Sequence, residues 1–170
     1  KGGALALALM GGFGNLAVGF LTTPGMGNIA DDYIQANLPV QQAQATLQRV
    51  VELYPAPAPE KKPTQFTDTE KAHMDAAAAL AGLLANSQGD AVLAAAAALR
   101  SAADAVPVGL TAEQAAQIKA VAAEARNIVG PADNLGGRIA FRYLAPFALI
   151  LVAVFGTLYL RDRARGGYQV

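Results

Sequence analysis

The 170 residues contain no cysteine. Disulfides, thiolate metal sites and cysteine nucleophiles are therefore excluded. There is no tryptophan and only 1 histidine, which leaves little material for histidine-rich metal or triad chemistry. Charge is also scarce. Charged residues make up 15% of the chain, against roughly 25% in an ordinary soluble domain. Basic and acidic residues balance at 13 each, so the chain lacks the basic excess that replaces counterions on nucleic acid. Hydrophobic residues are plentiful at 54%, and the longest apolar runs lie towards the two ends of the chain.

The first run extends from Gly2 to Met26 without an ionisable side chain. A membrane helix needs about 20 mainly apolar residues, so this run is long enough to cross a bilayer. It closes on Thr22-Thr23-Pro24-Gly25, a helix-stopping sequence, followed by Asp31 and Asp32, expected in water. A secretory signal is the competing reading. It fits poorly, because Asn28 is unsuited to the cleavage pattern that would end at Ala30. The second run, Tyr143 to Leu160, is also uncharged. Arg138 and Arg142 precede it, Arg161, Arg163 and Arg165 follow it, and Tyr143 and Tyr159 lie near its ends. Aromatic and basic residues at those positions suit the headgroup layers.

The two runs differ in kind. Gly11, Gly12, Gly14 and Gly19 stud the first, and small residues let helix backbones approach closely in lipid. Asn15 is its one strongly polar side chain and should face protein or a watery cavity. The second is rich in Leu, Ile, Val and Phe on every face, as expected of a helix touching lipid. The first run therefore needs helical partners that this chain does not supply, and the chain, which starts at Lys1, is expected to be a piece of a larger protein or a subunit.

Between the runs the sequence predicts helices. Over 39–54, Ala43, Leu47, Val50, Val51 and Tyr54 share a face. A proline-rich, extended linker follows at 55–63. Thr67-x-x-Glu70 is a capping box that opens a second helix to about Asn86, with Met74, Ala77, Ala81 and Leu84 as its stripe. Gly89-Asp90 restarts the chain into a third helix over 90–106, with Val92, Ala96, Leu99 and Ala103 inward. Thr111-x-x-Gln114 caps a fourth, carrying Ile118, Val121, Ala125 and Ile128, which Gly130-Pro131 should end.

The expected fold is all-α: two transmembrane helices, 1–28 and 138–161, flank an alanine-rich extramembrane bundle of three to four helices at 29–137, with a basic tail at 162–170. Basic flanks mark the cytoplasmic side, so both termini are expected inside and the bundle outside. Chemistry is sparse. His73 has Glu70 and Asp75 nearby but no ligand set at metal spacing, and is expected on a solvated face. Ser87 and Ser101 have no base in a recognisable setting. Gly11-Gly12-Phe13-Gly14 follows no strand and is no phosphate loop. No catalytic residue, metal site or cofactor is expected, and an enzyme is not.

The segment LALMGGFGNLAVGFLTTPGMGNIADDYI, with its Pro24-Gly25-Met26-Gly27 exit, resembles a late helix of bacterial major facilitator superfamily transporters. The terminal FALILVAVFGTLYLRDRARGGYQV resembles their last helix and short basic tail. The resemblance implies a secondary transporter of the bacterial inner membrane that moves a small solute by alternating access. Gly11, Gly12, Gly14, Asn15, Gly19, Pro24, Gly25 and Gly27 would then be packing or pathway residues. The implied partners are the lipid bilayer, the remaining transmembrane helices and the solute, with no nucleic acid. The departure is the insert, since that connection is normally short in the family. The alternative is a membrane-tethered scaffold whose bundle recruits a partner.

Overall fold

The computed structural model describes residues 23–165, apart from the side chains of Thr23, Pro24, Met26, Leu144, Phe147, Ala148 and Asp162. The described residues are all-helical: α1 (Thr23–Asn37), α2 (Val40–Leu53), α3 (Asp68–Ala85), α4 (Asp90–Asp104) and α5 (Ala112–Ala164), with a single 3-10 turn at Pro63–Gln65. The chain divides into two compact units. One is Ala30–Gly136; the described flanks belong to the other.

The helix starts follow from local chemistry. At α3, Thr67 Oγ1 accepts from the Glu70 N–H at 3.3 Å, and Glu70 Oε2 accepts from the Thr67 N–H at 2.8 Å. At α5, the Gln114 N–H donates to Thr111 Oγ1 and the Thr111 N–H to Gln114 Oε1, both at 3.2 Å. Each box satisfies two N–H groups that a helix start leaves without partners. Gly89 precedes α4 at φ 59, a left-handed conformation that glycine adopts without a Cβ penalty.

The core of Ala30–Gly136 is one cluster drawn from α2, α3, α4 and the first part of α5, joined by Ile34 of α1 and by Leu38 just after it. Leu47, Val50, Leu83, Val92, Leu99, Ile118 and Val121 are its large, fully buried members. α3 packs most extensively on α4.

Two local expectations need correction. The stripe of α3 is not Met74, Ala77, Ala81 and Leu84. Met74 and Leu84 stand 47% and 72% exposed, and Thr69, Ala72, Ala76, Ala79 and Leu83 face inward. Alanines occur on both faces of α3, so its own pattern does not fix the buried side, and packing against α2 and α4 does. Second, Gly130-Pro131 does not end the fourth helix; α5 runs through it to Ala164. Burial of Ile128, Val129 and Ala132 on either side of the proline outweighs the missing hydrogen bond. Thr23, Pro24 and Gly25 lie within α1, and residues 1–22, which they were expected to stop, lie outside the described residues.

Neither expected membrane span is supported among the described residues, where no helix is long and apolar enough to cross a membrane. Residues 1–22 of the first span lie outside them. The second falls inside α5.

Candidate functional site

Of the residues expected to pack or line a pathway, Gly11, Gly12, Gly14, Asn15 and Gly19 lie outside the described residues. Pro24, Gly25 and Gly27 are on α1, and a Cβ added at Gly25 or Gly27 would meet nothing within 4 Å.

The most unusual described surface is the second half of α5. Leu149, Ile150, Leu151 and Val152 are all exposed, at 70%, 58%, 52% and 69%. Successive residues on an α-helix turn by about 100°, so these consecutive side chains sweep the whole circumference. Phe141, Tyr143, Val154, Phe155, Leu158, Tyr159 and Leu160 extend the same surface. A helix in water keeps its apolar residues to one face, and a helix apolar all round is normally enclosed by protein or lipid. Arg138 and Arg142 border this surface on one side, Arg161, Arg163 and Arg165 on the other, and all are exposed. Thr157 does not interrupt it, because its hydroxyl donates back to the Ala153 carbonyl at 2.7 Å.

The polar groups of the bundle are spent on structure. His73 is half-buried and not on a solvated face; its Nδ1 lies 3.0 Å from the Tyr54 carbonyl. A carbonyl only accepts, so Nδ1 carries the proton. The Tyr54 hydroxyl donates to the Ala102 carbonyl at 3.0 Å, and burial pushes its pKa up to about 12. Glu70 accepts from Lys61 Nζ at 2.7 Å. That hydrogen bond, then the one from the Thr67 N–H, holds its carboxyl down to about 2. Ser101 Oγ donates to Asp75 Oδ2 at 2.8 Å. Among the described residues no group of histidine and carboxylates is placed to hold a metal ion.

Sequence reasoning missed two features. Thr46 is fully buried on α2 and donates to Glu124 Oε1 of α5 at 3.0 Å, while Arg49 pairs with the other Glu124 oxygen. Beside this pair an open groove of about 520 Å³ runs between α2 and α5, lined by Gln42, Ala45, Ala120, Ala123, Asn127 and Ile128 as well as Glu124. A threonine in a run of glutamine and alanine carries no signal of burial by itself; its partner is 78 residues away.

No family model matches the chain, and no curated protein or solved structure matches it.

Proposed function

We propose that the chain is the C-terminal part of a secondary-active membrane transporter of the major facilitator type. In this reading 1–28 and 138–161 cross the bilayer as helices, with both termini cytoplasmic and the bundle extracytoplasmic. The observation that carries the membrane half is the apolar circumference of α5 between its two sets of arginines. Exposed apolar area costs about 25 cal/mol per Å², and a patch covering every face of a helix is far larger than monomers leave in water. Lipid removes that cost, and the arginines reach the headgroups. The transport half is supported by the glycine-rich first run and by the resemblance of both ends to the last two helices of such transporters. Asn15 would face the protein interior, and Gly11, Gly12, Gly14 and Gly19 would permit close sliding contact with helices outside this chain.

The absence of cysteine makes the topology directly measurable. Ser87→Cys, in the exposed connection after α3, and Arg165→Cys, in the basic segment, each introduce one thiol into these 170 residues. In intact cells a membrane-impermeant maleimide should label Ser87→Cys, and should label Arg165→Cys only after permeabilisation. Equal labelling of both in intact cells, or release of the chain by alkaline carbonate, would sink the membrane reading. Transport is tested separately. In the full-length protein Gly14→Leu should abolish solute uptake without changing membrane insertion. Unaltered uptake would leave the tethered bundle, with its α2–α5 groove as the binding surface, as the better account.

A further inference from the structure

α1 carries the chain into the bundle and α5 carries it out, and the two helices meet at Gly136. Gly136 of α5 is buried. A Cβ there would lie 3.0 Å from the carbonyl oxygen of Ala30 and 3.3 Å from its Cα. Those are backbone atoms of α1, so no rotamer change relieves the approach. Gly25, Gly27, Gly130 and Gly137 on the same two helices meet nothing within 4 Å. Among these glycines the close contact is made at Gly136 alone.

A charged group sits beside it. Asp133 precedes Gly136 by one helical turn and shares its side of α5. Arg100 of α4 grips Asp133 with both arms of its guanidinium, Nε donating to Oδ2 at 2.9 Å and a terminal nitrogen to Oδ1. A bidentate pair of this kind fixes orientation as well as distance. The Asp133 hydrogen bonds raise the Arg100 pKa, partial burial opposes them, and the charges of Asp133 and then Asp31 add to the rise. Asp31 adjoins Ala30 on α1. One side chain of α4 therefore binds a carboxylate on α5 and lies in the field of a carboxylate on α1, next to the point where the two backbones meet.

We propose that Ala30, Gly136, Arg100 and Asp133 form a clasp that locks the entry and exit helices together at the base of the bundle, so that displacement of one is passed to the other. A backbone contact has no soft side chain to absorb sliding, and packed interfaces hop between discrete arrangements instead of deforming smoothly. Sliding α5 by one turn would bring the methyl of Ala132 or Ala140 to Ala30 and would break the Arg100–Asp133 pair. The clasp itself does not depend on the transporter reading; its use, making the last two membrane helices move as one body, does.

The test uses the full chain in phosphatidylcholine nanodiscs, spin-labelled through Asp32→Cys and Asn134→Cys, both exposed positions near the clasp. With the clasp intact the label-to-label distance distribution should be single and narrow. Gly136→Leu should broaden it and move it to longer distance, Arg100→Gln should broaden it less, and Gly130→Ala should leave it unchanged. If Gly136→Leu loses the cooperative melt of the bundle, Gly136→Ala takes its place, with broadening expected again. A broad distribution in the otherwise native chain, or a narrow one unchanged by the Gly136 variant that folds, overturns the clasp. Uptake by the same variants in the full-length protein is a separate readout: narrow, clasp-dependent distances without uptake would remove the transporter reading and keep the clasp.

Discussion

Thr46 illustrates how much a single buried hydroxyl depends on a distant partner. It has no exposed surface, and Glu124 takes its proton-donor capacity. Glu124→Ala should destabilise the bundle by about 1–3 kcal/mol, because the hydroxyl is left unpaired. Thr46→Val in the same background should recover part of that loss. Urea unfolding of the four members of this cycle checks it, and strictly additive effects would mean the two residues do not interact. Glu70 makes a second prediction. Lys61 and the Thr67 N–H lower its pKa from 4.5 to about 2. A lowered carboxyl pKa means that the unfolded chain binds the proton first, so the contribution of Glu70 is complete above pH 4.5 and is lost as pH falls towards 2. Glu70→Gln should flatten the stability profile across that window. An acid titration followed by circular dichroism would read it; an equally steep variant would show that other carboxylates control acid unfolding.

At the level of elements, helix starts were legible because their causes are local. Thr67–Glu70 and Thr111–Gln114 form the expected boxes, and Gly89 restarts the chain as its position suggested. The core faces of α2, α4 and α5 were legible too, since Leu47, Val50, Val92, Leu99, Ile118 and Val121 are large and periodic. The face of α3 was not. With alanines on both sides, the periodicity pointed to the bulky Met74 and Leu84, and packing chose the opposite side. Gly130-Pro131 reads locally as a stop and is overridden by burial on both sides. The proline still costs the helix a hydrogen bond and strain against the Asn127 carbonyl, up to about 3 kcal/mol. Pro131 is exposed, so Pro131→Ala should raise the melting temperature of the bundle. A lower one would show that the proline itself helps to seat Ala132. Gly130→Ala, in open space, should stabilise by about 0.5–1 kcal/mol. Gly136→Ala should have the opposite sign, because its Cβ runs into Ala30.

The whole molecule consists of a bundle with its own core and flanks of a different character. Ala30–Gly136 contains the main cluster of buried residues, and its described buried side-chain polar atoms all have partners. A fragment of residues 30–136 should therefore be recovered after limited proteolysis and should melt cooperatively. A non-cooperative melt would mean that the flanks are needed to hold the bundle together. Of the expected site, Gly11, Gly12, Gly14, Asn15 and Gly19 lie outside the described residues, and a Cβ added at Gly25 or Gly27 would meet nothing within 4 Å. By itself the sequence determined the helical class, the capped starts, the uncharged runs and the poverty of catalytic groups. Each of these depends on side-chain type and on neighbours within a turn or so of the chain. Only the tertiary structure decided which face of α3 is buried, that α5 continues past Pro131, that Thr46 needs Glu124, and that Gly136 touches Ala30. Those outcomes are set by residues far apart along the chain, whose contacts exist only once the helices have packed.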